Sequence, residues 1–345
     1  MAIFEHAEFD THESVHAFYD EKTGLKGWIA VHSTYRGPSA GGTRFWSYPD
    51  SEAALRDALR LSRAMSYKNA MAGLNLGGGK GVVMKPDGDY DRAALFAAFG
   101  RCIDQVGGAY YTAEDVGMTP ADMRTIRTQT KYVAGLDEGE AASGDPSPVT
   151  ADGVFRCIEL AAHKRGIDLD GARVAVQGLG HVGFDVCRHL HKAGARLIVS
   201  DINEQAVRRA VDELGARAVA PQDIIGQDAE IFSPCALGAI LNNQTIDSLK
   251  APIIAGAANN QLATPEIGQT LHARGVLYCP DYVVNAGGII NVAGEIEGTY
   301  SPEWVEEKLQ GVVKTLDEII ATSHSTNRPT ADIADEMARA RIGRD

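Results

Sequence analysis

Two lysines, a pair of acids and a glycine turn carry the residue types from which chemistry can be built in this 345-residue chain. Lys68 and Lys80 flank an apolar segment that ends in Gly77, Gly78 and Gly79, directly before the second lysine. A lysine in a low-dielectric pocket gives up its charge more readily than in water and becomes a usable base near neutral pH. A glycine run costs backbone entropy, so its expected purpose is to let another group approach the chain closely. The phosphate-binding pattern GxxxxGK[ST] fails, because Gly81 stands where Ser or Thr is required. A flexible surface loop would explain the glycines but not the flanking lysines. Glu114 and Asp115 lie in AYYTAEDVGMTP at 109–120, a strand expected to run into an acidic loop. On this segment alone they read as solvated loop acids.

The glycine turn is Gly178-Leu179-Gly180-His181-Val182-Gly183, with GxGxxG spacing. It follows an apolar strand at 172–177 and opens a helix, the context that turns a common pattern into a dinucleotide fingerprint. Gly178 would make the tight turn, Gly180 would let a pyrophosphate reach the backbone, and Gly183 would allow close helix–strand packing. The pyrophosphate would rest on helix N–H groups at the positive end of the helix dipole. Asp201 closes the next strand at 197–200, where its carboxylate can accept both ribose hydroxyls and repel a 2′-phosphate. NAD is therefore expected over NADP.

These groups need a scaffold of two kinds. The half up to about residue 135 mixes strands, such as 27–32, with long helical patterns. Ser51 is the expected N-cap of a helix bearing Leu55, Leu61 and Met65, and Lys68 ends its apolar stripe. Thr119-Pro120 is expected to start a further helix as N-cap and first residue. The acidic, Gly- and Pro-containing stretch 136–148 reads as a hinge. Beyond it, a helix at 150–165 precedes alternating strands and helices, with further strands at 231–232, 252–255 and 276–279. That alternation predicts a parallel sheet covered on both faces. The last helix is expected to open at Thr330 as N-cap, with Arg339, Arg341 and Arg344 near its end.

The expected architecture is α/β with two domains. The motifs between 39 and 295 resemble a known enzyme family, and that resemblance implies a mixed-sheet substrate and oligomerisation domain formed by residues 1–135 plus about 322–345. Residues 145–321 form a Rossmann-type, doubly wound NAD-binding domain, with the active site in the cleft between them. Composition agrees with an ordinary globular protein, 44% hydrophobic and 23% charged. A net charge of −13 argues against a nucleic-acid partner. No apolar run is long enough for a membrane span and no secretory signal is visible at the start, so a cytoplasmic protein is expected. Five dispersed cysteines fit neither a disulfide framework nor a metal site, and His189 and His191 point to different helix faces, so no metal is expected. Glycine is over-represented, at 37 residues, and its concentration in these motifs suggests two places where backbone meets a ligand.

Seven motifs occur in order: SAGGTRFW at 39–46, YKNAMAGLNLGGGK at 67–80, TAEDVG at 112–117, DPSPVTADGV at 145–154, PCALGA at 234–239, GAANNQL at 256–262 and NAGGIINVAGE at 285–295. Together they resemble the NAD-dependent amino acid dehydrogenases of the glutamate/leucine/phenylalanine/valine family over nearly the whole chain. The resemblance implies oxidative deamination of an amino acid to its 2-oxo acid and ammonium, reversible as reductive amination. It implies that Lys68, helped by Asn260, binds the substrate carboxylate. Lys80, kept neutral by the positive charge of Lys68, activates the attacking water, and Asp115 exchanges a proton with the substrate amine. Gly41 and Gly42 line the substrate pocket. Thr150 binds the nicotinamide carboxamide and Asn285 faces the cofactor ribose. Cys235, Ala236, Ala257 and Asn259 complete the cofactor contacts with His181 and Val182 of the fingerprint.

Side-chain selectivity in the family is set by positions matching Ala40, Ala113, Ile289 and Val292, none of them cationic or a hydroxyl donor. A second substrate carboxylate would be buried unpaired there, which disfavours glutamate. Leucine and other branched-chain amino acids fit. Leucine-acting members usually carry Leu at position 40, Thr at 134 and Val at 289. The Ala40 and Ala134 of this chain enlarge the pocket, whereas Ile289 reduces it. A phenylalanine or broad-range apolar specificity is the alternative. An inactive NAD-binding regulator is disfavoured by the intact Lys68, Lys80 and Asp115. A 2-hydroxy acid dehydrogenase is disfavoured because the histidine, acid and arginine its chemistry usually needs do not stand out as a constellation in this chain. The resemblance also implies a homo-oligomer, often an octamer, assembled through the first domain.

Overall fold

The structure is a computed structural model that describes residues 3–136, 145–236 and 238–344. It divides into two compact units, residues 1–145, 289–305 and 338–345 in the first and 146–288 and 306–337 in the second. This differs from the expected division, which gave 289–305 to the NAD-binding domain and 322–337 to the substrate domain. The helices of that region are continuous in sequence pattern, so tertiary packing alone decides to which unit each stretch belongs. Within the expected hinge, residues 137–144 lie outside the described residues, and helix begins already at Ser147.

The first unit is built on β1 (Ser14–Asp20), β2 (Leu25–Ser33), β3 (Ser39–Ala40), β4 (Thr43–Trp46), α1 (Ser51–Met71), β5 (Gly77–Met84), α2 (Arg92–Gln105), β6 (Tyr110–Tyr111) and α3 (Pro120–Arg127). Its mixed sheet runs β1-β2-β5-β3-β6, with β4 also on β5. The β1/β2 and β2/β5 pairs are antiparallel, and β5 is parallel to β3 and β4. Ser39 pairs with Gly77 and Thr43 with Gly81, so β3 and β4 keep one register across the break at Gly41–Gly42.

Alternation along the central strands sends neighbouring residues to opposite faces. Ala30 and Val82 pack with Ala54, Leu55, Ala58 and Leu59 of α1. Ile29, Val31 and Val83 join Phe96, Phe99 and Tyr110 on the other face. The residues Leu55 and Leu59 recur at i,i+4, the spacing of a core-facing helical stripe, and burying each leucine stabilises the unit by about 1.5–3 kcal/mol. Helix α1 is capped by Asp50, not Ser51: the Asp50 side chain accepts the Ala53 N–H at 2.7 Å, and Ser51 is the first helical residue. Thr119 and Pro120 open α3 as expected, with a capping box closed by Asp122.

The second unit contains α4 (Ser147–Lys164), β7 (Arg173–Gln177), α5 (His181–Lys192), β8 (Arg196–Ser200), α6 (Glu204–Leu214), β9 (Arg217–Ala218), β10 (Ile231–Pro234), β11 (Ile253–Ile254), α7 (Pro265–Ala273), β12 (Leu277–Tyr278) and α8 (Asp281–Val284). Its sheet runs β12-β11-β10-β7-β8-β9, and every pair is parallel. From β7 the chain winds outward through β8 and β9, then returns to β10 on the other side. This is the doubly wound order, with its reversal between β7 and β10.

The remaining helices are α9 (Gly287–Glu297), α10 (Pro302–Thr326) and α11 (Thr330–Arg341). Thr330 is the first residue of α11 and not its cap, because its hydroxyl is committed to the Tyr278 carbonyl at 2.5 Å. Among the described residues, no helix is long and apolar enough to cross a membrane.

Candidate active site

The glycines before Lys80 do not form a loop. Gly77 to Met84 is the central strand β5, and what approaches it closely is the protein itself. A Cβ at Gly78 would collide with the backbone of Ser66 in α1, and one at Gly79 would stand 2.6 Å from the Ser39 hydroxyl and 2.7 Å from the Tyr110 ring. The expectation that this run marks a ligand contact is therefore corrected: the glycines let α1 and the neighbouring strands lie directly on β5. Asn69 of α1 fastens the contact, its amide donating to the Gly77 carbonyl at 2.5 Å.

Alternation puts Lys80 between Gly78 and Val82 on the face that α1 covers. Lys80 is 5% exposed, a burial that an ammonium group tolerates only with a partner. That partner is Asp115, whose Oδ2 forms an ion pair and hydrogen bond with the Lys80 Nζ. Burial acts to raise the Asp115 pKa, but the charges of Lys80 and Arg44 outweigh it and hold the carboxyl below its usual range. Asp115 is thus a half-buried, ion-paired acid and not a solvated one.

Arg44, Tyr48 and Asp57 were not singled out by residue type or spacing, yet they extend this cluster. Arg44 Nε lies 3.6 Å from Asp115 Oδ2. Its NH1 donates to Asp57 Oδ2 at 2.9 Å, and the Tyr48 hydroxyl donates to the same oxygen at 2.7 Å. The available signal was position: Arg44 sits two residues beyond Gly42 in the SAGGTRFW motif.

The Gly41–Gly42 break is adjacent. A Cβ at Gly42 would stand 2.6 Å from the Glu114 carbonyl and 2.9 Å from Asp115 Cβ, and one at Gly41 would meet Met65 of α1 at 3.0 Å. Lys68 follows Met65 by three residues, which places it on the same helix face one turn further along. Ala40 at the end of β3, Ala113 and Ala134 are all buried. The last two are held by ladder bonds, Thr43 N–H to Ala113 O at 2.9 Å and Ala134 N–H to Thr112 O at 2.9 Å.

Ile289 and Val292 belong to the same unit. The left-handed Gly135, at φ +73°, lies against both Ala113 and Val292, since a Cβ there would be 3.8 Å and 3.9 Å from them. Glu295 holds that glycine by accepting its N–H at 2.6 Å. Gly135 and Glu295 also escaped the sequence reading.

The second unit gathers the other expected residues at the carboxyl ends of its strands. Gly178 follows β7 at φ +94°, and a Cβ there would strike Ala236 at 2.8 Å. Cys235 donates its N–H to Gln177 at 2.7 Å. The turn therefore packs against the β10 loop at the strand-order reversal, where open α/β sheets bind ligands. Burial pushes the Cys235 thiol pKa up, which makes it a poor nucleophile.

A dinucleotide fits what is present. A Cβ at Gly183 would fall on the Gly178 carbonyl, whereas the space over Gly180 is open. No side chain caps α5 at Gly180, so its first N–H groups, from His181 to Gly183, can receive a pyrophosphate. Asp201 accepts N–H bonds from Leu179 at 2.5 Å and Asn203 at 2.7 Å, one on each oxygen. A carboxylate has about four lone-pair sites, so it can still accept ribose hydroxyls.

The Asn285 amide donates to Ala257 O at 3.0 Å and Asn259 Oδ1 at 2.9 Å, which leaves its buried Oδ1 without a hydrogen bond. An orphaned buried acceptor of this kind calls for a donor. Thr150 is buried in the first turn of α4 and gives its hydroxyl proton to Pro146 O at 2.9 Å, keeping acceptor capacity. Asn260 belongs to this unit as well, in a left-handed conformation at φ +51°. Among the described residues, no group of three or more His, Cys, Asp or Glu is placed to hold a metal ion.

Comparison with known proteins matches this geometry to a family. Residues 12–132 match the Glu/Leu/Phe/Val dehydrogenase dimerisation domain, and residues 143–207 and 199–342 match Glutamate/Leucine/Phenylalanine/Valine dehydrogenase. The chain is 49% identical to leucine dehydrogenase of Bacillus subtilis, covering 100% of this chain and 95% of that protein. It is 50% identical to leucine dehydrogenase of Geobacillus stearothermophilus, covering 99% and 94%. The crystal structure of L-tryptophan dehydrogenase from Nostoc punctiforme superposes with a TM-score of 0.85 at 42% identity, covering 96% of each chain. With both halves matched and relatives aligned end to end, the chain belongs to the glutamate/leucine/phenylalanine/valine dehydrogenase family, as an amino acid dehydrogenase that uses a nicotinamide cofactor.

Proposed function

We propose that this protein oxidises L-leucine and related apolar amino acids with NAD, giving the 2-oxo acid and ammonium, and runs the reverse amination when ammonium and NADH are abundant. The observation that carries the proposal is the ion pair of buried Lys80, on the central strand of the first unit, with half-buried Asp115. Burial of such a pair is expensive, so it is retained where chemistry needs a base and an acid side by side.

In this reading Lys68 and Asn260 bind the substrate carboxylate, with Gly41 and Gly42 giving its main chain room. When bound, the nicotinamide supplies the acceptor for the hydride of the substrate Cα. Asp115 takes the proton that the substrate ammonium loses on the way to the imine. Lys80, acting from its neutral form, takes a proton from the water that adds to the imine carbon. Asp115 returns a proton to the nitrogen as the carbinolamine collapses to 2-oxo acid and ammonium. Thr150 and Asn285 orient the nicotinamide end of the cofactor, while the fingerprint glycines and Asp201 hold its pyrophosphate and ribose. Asp201 supports NAD over NADP, because a 2′-phosphate would face its charge.

Leucine is supported by the named activity of the Bacillus and Geobacillus relatives and by the apolar positions Ala40, Ala113, Ala134, Ile289 and Val292. The small, buried Ala40 and Ala134 favour a second reading, tolerance of aromatic side chains. One methylene is worth only about 1–3 kcal/mol of discrimination, so several apolar substrates are expected to react. The described match to a dimerisation domain supports a homo-oligomer. The test is kcat/KM with NAD for leucine, valine, phenylalanine, tryptophan, glutamate and lactate. Leucine should lead and lactate should give nothing; a lead by glutamate or lactate would refute the proposal.

A further inference from the structure

Asp115 is flanked by two cations of different kinds. Lys80 reaches it from β5, and Arg44 approaches from the parallel neighbour β4. The two are not equivalent, because a lysine can lose its charge whereas a guanidinium stays protonated in proteins. Lys80 has to be neutral by the time it acts on water, and a neutral Lys80 is no counter-ion for Asp115. The half-buried carboxylate would then be left uncompensated at the step for which it has to be ionised, acceptance of the substrate ammonium proton.

The geometry provides the replacement. Arg44 Nε is buried without a hydrogen-bond partner and stands 3.6 Å from Asp115 Oδ2, a few tenths of an ångström beyond hydrogen-bond range. The other edge of the guanidinium is held by Asp57, whose Oδ2 also accepts the Tyr48 hydroxyl and whose Oδ1 is 3.3 Å from Arg60. Burial and the hydrogen bond to Asp57 push the Tyr48 pKa up, so Tyr48 stays a neutral donor. The planar fork of an arginine can serve two carboxylates at fixed directions, which a lysine cannot reproduce.

We propose that Arg44 is a positioning residue which, aimed by Asp57 and Tyr48, keeps Asp115 in place and charge-compensated while Lys80 is neutral and Asp115 has yet to take the substrate proton. The inference rests on the roles proposed above for Lys80 and Asp115. Arg44 is, after Lys80, the charge that most favours the Asp115 carboxylate, so removal of Arg44 should leave a clear mark.

The test uses full-length protein carrying 13C-carboxyl aspartate, with Asp115→Asn to assign the Asp115 signal. In Arg44→Gln, the Asp115 titration should move up by about one pH unit, and Arg44→Lys should lie between Arg44→Gln and the wild type. With leucine, Arg44→Gln should lose roughly 10–100-fold in kcat, change KM less than about threefold, and shift the acid limb of kcat/KM upward. An unchanged Asp115 titration in folded Arg44→Gln overturns the proposal, whether or not the wild type oxidises amino acids. A wild type that fails to oxidise leucine, with the titration shifted, overturns the functional reading and leaves the Arg44–Asp115 coupling standing.

Discussion

Lys80 and Asp115 meet through one carboxylate oxygen, from a central strand and from the loop beyond the edge strand β6, and neither is free in water. The pair joins a potential base to a potential acid before any substrate arrives. Lys80→Ala should lose about 10²–10⁴-fold in kcat, the usual contribution of a general acid–base group. Steady-state turnover on leucine measures it, and near-wild-type turnover would remove Lys80 from the chemistry.

Glu295 controls a different property. Its carboxylate pins the Gly135 N–H at 2.6 Å, and Gly135 lies against both Ala113 and Val292. A hydrogen bond to a charged group is worth about 1.5–3 kcal/mol. Glu295→Ala should therefore raise KM for leucine roughly 3–30-fold with kcat little changed, while Glu295→Gln, which still offers an acceptor, should recover most of the loss. An unaltered KM in Glu295→Ala would show that the pocket does not depend on this latch.

Asp201 should decide between cofactors. Asp201→Ser removes the charge facing a 2′-phosphate and should narrow the NAD/NADP ratio of kcat/KM by about tenfold or more, or at least 1.4 kcal/mol. Paired measurements with both cofactors are sufficient. A wild type that uses NADP as well as NAD would contradict the assignment.

The first unit should weaken in mild acid. His12 is buried, accepts the Asp10 N–H on Nδ1 at 3.2 Å, and contacts the Leu59 carbonyl through Nε2 at 3.0 Å; burial lowers its pKa to about 4. His32, with Ser66 Oγ 2.7 Å from Nδ1 and the Arg344 guanidinium against Nε2, is likewise held below its usual value by burial and by that charge. Both bind fewer protons folded than unfolded, so stability is complete above about pH 6.5 and declines as pH falls through the window down to pH 4. The slope is about 1.4 kcal/mol per pH unit for each histidine. Urea denaturation at pH 7.5, 6 and 5 should show it, and a flatter profile in His32→Gln would assign it. Equal stability at pH 7.5 and 5 would exclude neutral buried histidines as its source.

Local signals were legible in the sequence. The strand, glycine turn and helix at 173–192 lie within one stretch of chain, as do Thr119 and Pro120, and both read correctly because their partners are neighbours in sequence. The strand at 77–84 did not announce itself, since four of its residues are glycine, which has little β-propensity of its own. Its conformation is imposed by β2, β3, β4 and α1, all of them set by distant pairing. Arg44, Asp57 and Glu295 were hidden for the same reason: each matters through a contact made only after the chain has folded. Asp50 displaced Ser51 as cap by a single residue, because its carboxylate takes up the Ala53 N–H where extended backbone becomes helix.

The central claim is a coupled chemistry, hydride removal followed by hydrolysis of an imine. One reaction mixture of purified protein, L-leucine and NAD, sampled over time, gives NADH by absorbance, ammonium by a coupled assay and 4-methyl-2-oxopentanoate by chromatography. The account predicts that the three accumulate in equal amounts and that all three fall together in Lys80→Ala. NADH formed without ammonium, or no NADH at all from leucine, would contradict it.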